Sequence, residues 1–559
     1  MASERFVRHA NIMSVLTTLA RVSGLLRDKI ASYYLGVGTE WGAFWMGFML
    51  PNLFRRIFGE GALTAAVVPA YTRLRETQGQ AAADKLASTI CSFLVVVLGA
   101  ITVIGEAVLL PLALQESFTP ANRLAFWMMA IMLPYCSLVC LVAILSAIHT
   151  VHERFIMQSL VPGVMNLVFP LAAGLSVWLW GAGYPIEKRI FWAAGAVLVA
   201  GVIQVAMMLP GLHAAGVRVR PTLRWAGSGL REVLVPMVPI MLAMVAIQIG
   251  TYLDGQIAWW LSPDGHDGVK TVTLWGYQFT LPMQAGALAK LSIAQRIYQL
   301  PVGIFGVALA TAVFPLLSKA VVENDTPEFK RLLVAGLRKV LFLAIPCSAG
   351  MILIAHPLIT LVYSGKYTTP ADVDRAWWAA MWYCAGIVFF ELQMVLMRAY
   401  YAQRDTLTPA KIAALMVGVS MSLNLLLIWP LAEGGIAAAT SINSCLQCLI
   451  LLLIMRRRLG GLDLHGMGKH VLRIALVTLL MAIIGAAVIY TRGWWFEPIA
   501  KILGLAGSQR PLMLRAALEL PLQVGVCGVV FVVAVRLLKM PELYDVPMVG
   551  RILGKYLRR

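Results

Sequence analysis

The chain has 559 residues, 60% of them hydrophobic and 13% charged, and its 46 Lys/Arg against 27 Asp/Glu give a formal charge of +19. Soluble domains carry about 25% charged residues, so this balance excludes an ordinary soluble globular protein. The apolar residues fall in blocks of about twenty, the length that crosses a hydrocarbon layer ~30 Å thick, and the fold class is an all-α polytopic membrane protein.

Fourteen spans are predicted, near 9–35, 41–72, 86–112, 122–149, 155–180, 190–211, 233–261, 286–318, 333–363, 376–402, 408–431, 435–455, 470–491 and 516–538. The N-terminal stretch MASERFVRHANIM lacks the pattern of a signal peptide, so the first helix itself is expected to target the chain. With a cytoplasmic N-terminus, most of the 46 Lys/Arg fall in cytoplasmic segments and helix ends. That asymmetry is the positive-inside bias; it puts both termini in the cytoplasm and makes the basic excess a topology signal, with no nucleic-acid partner implied.

In the first span, Arg21, Gly24 and Asp28 stand at i, i+3 and i+7, on one helix face, with Arg27 about 100° round from Asp28. Charge at bilayer depth costs several kcal/mol unless it meets water or a partner, so this face reads as a cavity wall. Arg55 and Arg56 end LPNLFRR in the second span, as cavity residues or as an interfacial anchor. HTVHER (149–154) reads as a solvated helix end.

The segment 213–234 is a basic linker between halves, and Asp254 is an isolated carboxylate in the seventh span. An external insertion, 262–284, contains a short predicted hairpin, Thr271–Trp275 with Phe279–Leu281. Arg296 lies mid-span between Gln295 and Gln299, whereas Lys290, nearer the span end, is expected to snorkel. Glu391 is an isolated carboxylate in the tenth span; it and Asp254 each bind a cation or a proton, or pair with an arginine. The eight cysteines, including the Cys445/Cys448 pair, read as small packing residues.

LPNLFRRIFGEGALTAAVVPAYTR (50–73) and LPVGIFGVALATAVFPLLSK (300–319) share Leu-Pro, then Ile-Phe-Gly, then Pro with a hydroxyl and a base following, once gaps are allowed. This implies two six-helix lobes related as parallel repeats: 1–215 with spans 1–6 and 216–457 with spans 7–12. Residues 458–559 add two helices and a basic tail.

The candidate cavity is richer in guanidinium than in carboxylate. Arginine's planar fork binds phosphate and carboxylate oxygens in pairs, so an anionic substrate is expected, and a pyrophosphate headgroup fits. No paired-carboxylate motif, Walker loop, HExxH or Ser/His/Asp grouping supports catalysis. The chain is therefore expected to be no enzyme.

ARVSGLLRDKIASYYLG, LPNLFRRIFGEGALTAAVVPAYT, RIYQLPVGIFGVALATAVFPLLS and YYAQRDTLTPAKIA resemble signature stretches of the MurJ/MviN lipid II flippases, in the multidrug/oligosaccharidyl-lipid/polysaccharide exporter superfamily. The resemblance runs through roughly residues 10–455. It implies two lobes around a central cavity, a final helix pair lining a groove for a lipid tail, and a place in the bacterial inner membrane. It implies alternating-access transport of undecaprenyl-pyrophosphate-linked peptidoglycan precursor to the external leaflet, beside the cell-wall synthesis machinery. By motif, substrate-binding roles pass to Arg21, Arg27, Asp28, Arg55 and Arg296. A sodium site, with Na+ as coupling ion and no other cofactor, passes to Asp254, Asn424, the Ile436 carbonyl and Thr440. Gly42, Gln295 and Gln299 stand where relatives often carry acidic residues, so fewer protonatable groups are expected in the cavity. The rival expectations are export of another polyprenyl-linked glycan or a drug on the same fold, a membrane-embedded glycosyltransferase, and a precursor-binding scaffold.

Overall fold

A computed structural model describes residues 23–57, 63–225, 229–266, 268–274, 277–463, 466–491, 494, 496, 498, 510–538, 540 and 542. Arg21, one of the predicted site residues, lies outside them. The chain is helical almost throughout, as expected where lipid offers backbone N–H and C=O groups no partners.

The first unit comprises residues 1–289 together with 362–369. Its helices are α1 (23–35), α2 (Thr39–Phe54), α3 (Leu63–Gln78), α4 (Gln80–Leu114), α5 (Pro120–Met132), α6 (Tyr135–Val151), α7 (Phe155–Trp180), α8 (Ile186–His213) and α9 (Leu230–Trp260). A 3-10 turn, Pro263–His266, precedes strands β1 (Thr271–Leu274) and β2 (Tyr277–Thr280). The strands pair antiparallel, Thr271 opposite Thr280 and Leu274 opposite Tyr277, so the hairpin expected in this insertion forms.

The second unit comprises residues 290–361 and 370–559. Its helices are α10 (Ala287–Pro301), α11 (Val307–Val322), α12 (Thr326–Tyr363), α13 (Pro370–Ala385), α14 (Ile387–Ala402), α15 (Leu407–Leu431), α16 (Glu433–Arg458), α17 (Met467–Tyr490) and α18 (Arg510–Leu537). Between α10 and α11 the chain widens into a π-helical segment, Val302–Gly306. A core of Leu317, Leu333, Leu337, Val395, Tyr400 and Leu451 joins α11, α12, α14 and α16.

Among the described residues, ten helices are long and apolar enough to cross a membrane, or eleven if the bent pair α13–α14 counts as one span. The apolar outer surface explains why water is the wrong solvent: only 11% of the most apolar stretch of α4 is buried in protein, while Val103, Leu167 and Trp178 are largely exposed. Local signals set the helix ends. Thr119 caps α5, its hydroxyl accepting from Asn122 N–H at 3.2 Å, with Pro120 in the first turn. Gly36 ends α1 with a φ of +71°, and a side chain there would sit 3.0 Å from the Tyr367 carbonyl oxygen.

Candidate functional site

The charged end of α1 is held by a network within the first unit. Arg27 folds back on its neighbour: Nε and Nη2 donate to Asp28 Oδ1 at 2.9 and 2.8 Å. Its Nη1 donates to Asn166 Oδ1 of α7 at 3.1 Å, and Asn166 Nδ2 donates to Ser23 Oγ at 2.9 Å. Asp28 is 3% exposed and Arg27 15%, so the pair is shielded from bulk water yet not sealed. A guanidinium with a carboxylate on one edge and a neutral amide on another keeps its charge while its plane is fixed. That is the state in which it can receive phosphate oxygens.

Residues 362–369 lie along this same stretch as a strap. Tyr363 Oη donates to the second Asp28 oxygen at 3.1 Å, Lys29 Nζ donates to the Ser364 carbonyl at 2.7 Å, and Ser32 Oγ to the Val362 carbonyl at 3.3 Å. Arg189 of α8 is buried at 2% exposure and donates to the Tyr34 carbonyl, the Tyr367 hydroxyl and the Ala182 carbonyl at 3.0, 3.2 and 2.8 Å. Burial pushes the Tyr367 hydroxyl up, but the Arg189 hydrogen bond and charge, with Lys366, hold it below its ordinary value. Asn166, Tyr363 and Arg189 went unmarked in the sequence. Asn166 had a signal, a lone amide in the apolar run PGVMNLVFP; Tyr363 depends on a contact remote in sequence and had none.

Arg55 donates through Nε and Nη2 to Asn52 Oδ1 at 3.2 and 3.1 Å, one turn back, and Arg56 Nη1 donates to Gln248 Oε1 of α9 at 2.9 Å. Both arginines sit on a π-helical turn, residues 55–57, that follows α2. Beside α2, a side chain at Gly42 would lie 3.4 Å from the Trp259 ring and 3.8 Å from Asp264 Oδ2. The buried Asp264 carboxylate accepts from the Thr39 hydroxyl at 2.6 Å and from Gly286 N–H at 2.8 Å. Gly42 puts no carboxyl at this point of α2, but Asp264 brings one to the same place, and Glu40 stands in the first turn of the helix.

In the second unit Arg296 lies on α10. Gln295 Nε2 donates to Tyr383 Oη at 3.2 Å, and the Tyr298 ring stacks on Tyr383 and Phe390. Lys290 does not snorkel. Its ammonium is 3% exposed and sits 2.9 Å from Asp372 Oδ1, because α13 supplies a carboxylate at its depth. A second ion pair joins Arg375 to Glu433 at 2.9 Å, the glutamate side chain being fully buried.

Of the sodium candidates, Asn424 is fully buried and the Thr440 hydroxyl donates to the Ile436 carbonyl at 2.9 Å. α15 and α16 approach closely, since a side chain at Gly435 would run into the Leu427 carbonyl oxygen. These three residues belong to the second unit and Asp254, 7% exposed, to the first. Among the described residues, no three His, Cys, Asp or Glu side chains are grouped to hold a metal ion.

The HTVHER stretch is solvated only in part: Glu153 and Arg154 are exposed, but its first histidine is not. His149 is fully buried between α6 and α8, Nε2 lying 3.0 Å from the Met208 carbonyl, and Gly211 leaves room for its ring. His152 Nε2 lies 3.1 Å from the Tyr71 hydroxyl. Asp405 of the YYAQRDTLTPAKIA motif accepts from Thr408 N–H at 2.9 Å at the start of α15 and pairs with Arg458 of α16. That motif residue locks the turn between α14 and α15.

The family model described as "Lipid II flippase MurJ" matches residues 31–502. The probable lipid II flippase MurJ of Vibrio cholerae is 28% identical over 530 residues, covering 93% of this chain and 94% of that one. The lipid II flippase MurJ of Burkholderia cenocepacia is 29% identical over 458 residues, covering 80% and 83%. A solved lipid II flippase MurJ in an inward closed conformation superposes with a TM-score of 0.71 at 22% identity, over 94% of this chain and 98% of that one. An inward-facing multidrug resistance MATE transporter of the MOP superfamily gives 0.61 at 14% identity, over 81% and 98%. At those identities the two structures speak to the fold alone. The match over residues 31–502 speaks to descent: this chain belongs to the MurJ family of lipid II flippases.

Proposed function

We propose that this protein is a lipid II flippase of the bacterial inner membrane: a transporter, with no chemistry performed on its cargo. It moves undecaprenyl-pyrophosphate-linked precursor from the cytoplasmic to the external leaflet by alternating access. The organisation is fourteen spans in two lobes, 1–215 and 216–457, with 458–559 adding the helix pair for the lipid tail and both termini in the cytoplasm. Arg21, Arg27, Arg55 and Arg296 bind the pyrophosphate, with Asp28 orienting Arg27. The observation that carries this is the Arg27 guanidinium, oriented by Asp28 and Asn166 and still 15% exposed.

Sodium is the proposed coupling ion. Asp254, Asn424, the Ile436 carbonyl and Thr440 supply one carboxylate and three neutral oxygens, the hard donors such a cation takes. The membrane potential, worth ~2.3 kcal/mol per charge per 100 mV, biases the return. The cell-wall synthesis machinery is the proposed consumer.

Depleting the protein should make lipid II accumulate in the cytoplasmic leaflet; an unchanged leaflet distribution would overturn the proposal. Arg27→Ala and Arg296→Ala should each abolish complementation while the protein still inserts. Growth supported by the double variant would remove the arginine site. Export of a different polyprenyl-linked glycan predicts loss of that glycan with lipid II distribution intact, which the same depletion experiment reads.

A further inference from the structure

Glu391 of α14 takes no part in any contact described above. Its side chain is fully buried in the second unit, and neither carboxyl oxygen has a hydrogen-bond partner among the described residues. The elements around it bring no compensating charge into bonding reach. α12 contributes the Cys347 thiol, within electrostatic range. α10 carries Arg296, which is not hydrogen-bonded to Glu391, and Tyr298, whose ring is stacked on Phe390. α11 carries no ionisable residue before Lys319; α13 carries Asp372, Asp374 and Arg375 in its first two turns and Tyr383 and Cys384 near its end; α15 carries Lys411 near its start; and α16 carries Cys445 and Cys448 between Glu433 at its start and its terminal arginines. On α14 itself the nearest cation, Arg398, lies over the Phe314 ring at 5.5 Å.

The chain is built to hold this carboxyl against an unusual piece of backbone. Gly306 closes the π-helical segment Val302–Gly306, and a side chain there would come within 3.0 Å of Glu391 Cγ and 3.2 Å of Met394 Sδ. A larger residue there would make the Glu391 and Met394 side chains give way by a few tenths of an ångström. π turns inside α-helices cost backbone order and recur at functional sites.

An isolated carboxylate taken into such a site without a hydrogen bond carries a desolvation penalty far larger than that of the neutral acid. A metal ion is a poor alternative, because a cation such as sodium takes several oxygens, and among the described residues no polar group stands within hydrogen-bond distance of this carboxyl. We infer that Glu391 is a proton-binding site, neutral in this conformation, that gives its proton to water when the π segment and α14 separate during transport. In that step the carboxyl O–H bond breaks, water takes the proton, and the carboxylate becomes hydrated; on reclosure a proton returns from water. The inference rests on the flippase reading, and it adds a proton to the quantities that reading couples.

The test uses the full-length protein in proteoliposomes with lipid II. The infrared spectrum at neutral pH should contain a protonated-carboxyl stretch that Glu391→Gln lacks and Glu391→Asp retains. Lipid II flipping by the native protein should change severalfold between mildly acidic and mildly alkaline buffer. Glu391→Gln, fixed in the neutral form, should flatten that profile while still binding lipid II. An ionised Glu391 at neutral pH overturns the inference, as does a pH profile unchanged by Glu391→Gln. Failure of the native protein to flip lipid II at any pH overturns the flippase reading instead, and the infrared comparison then decides the protonation alone. If Glu391→Gln fails to fold, Glu391→Asp carries the pH measurement, with a displaced profile as the expected result and a superimposable one as the overturning result.

Discussion

Replacing Asp372 with asparagine should destabilise the second unit far more than loss of a surface charge pair would. Lys290 is 3% exposed and Asp372 21%, with 2.9 Å between ammonium and carboxylate. At an effective dielectric of about 20, Coulomb attraction at that separation is roughly 6 kcal/mol. Desolvation of two ions offsets several kcal/mol of it, so the intact pair contributes little net stability. Asp372→Asn removes the attraction and leaves the lysine's desolvation cost in place. Such breakage costs about 3–5 kcal/mol, and the partial exposure of Asp372 places the expectation near the lower end. Lys290→Met should cost less, because the carboxylate left behind can reach water. Lys290→Met/Asp372→Asn should recover most of the loss from Asp372→Asn alone. The assay is an unfolding titration in mixed detergent micelles for the four proteins of the cycle. A loss below about 0.5 kcal/mol for Asp372→Asn, the level of an exposed pair, would refute the reasoning and return Lys290 to the membrane surface.

Tyr363→Phe removes a hydroxyl donated to a buried carboxylate at 3.1 Å. Hydrogen bonds to charged groups contribute about 1.5–3 kcal/mol, so a cysteine placed at Ser364 should react with a water-soluble maleimide about tenfold faster or more; unchanged labelling would show that the strap is held elsewhere. Gly47→Ala should lower thermal stability, since the new Cβ lies 2.6 Å from the Met128 carbonyl carbon and overpacking costs about 1–3 kcal/mol, more than the ~1 kcal/mol of helix propensity gained. Gly99→Ala, with nothing within 4 Å, is the control and should show no loss. At Asp405 burial pushes the carboxyl up, but hydrogen bonds from Thr408 and the Arg458 charge outweigh it and hold the group at about 2 against an ordinary 3.8. Its stabilising contribution is therefore complete above the ordinary value and lost as pH falls towards the folded one. An acid titration of stability should show this loss in the native protein and not in Asp405→Asn.

Span-forming segments were legible because a run of twenty apolar residues has few uses outside a bilayer. That Arg27 and Asp28 would be partnered was legible because charge inside such a run demands a partner. Which partner was not legible. Lys290 was expected to snorkel because its own helix offers an exit; only α13, folded beside it, supplies the carboxylate that makes burial tolerable. His149 was expected in water because two histidines near a helix end are usually solvated. The space for its ring comes from Gly211, on another helix. Gly42 shows the same limit from the other side: its missing carboxylate was plain in the sequence, but Asp264, reaching the same place from a loop, was not. Depth and periodicity are properties of one segment, whereas pairing and packing are properties of two.

The repeat of Ile-Phe-Gly after Leu-Pro acquires a physical meaning from the backbone. In both copies the helix widens into a π turn there, at residues 55–57 and at Val302–Gly306, and the helix that follows carries a proline, Pro69 or Pro315. A π turn holds one residue more than an α turn, so it resets which face the following residues present. The two copies use that reset for opposite chemistry. The first presents Arg55 and Arg56 to polar amides on α2 and α9. The second presents glycine to a carboxyl that has no polar partner among the described residues. The same backbone device with different side chains suits a transporter that, on the readings proposed above, must both hold an anion and answer to a proton. On that logic, converting Val302–Gly306 to a regular helix by deleting one residue of the turn should abolish flipping even if Glu391 is untouched. Complementation by the deletion variant would show that the π turn is a relic of packing and has no part in the cycle.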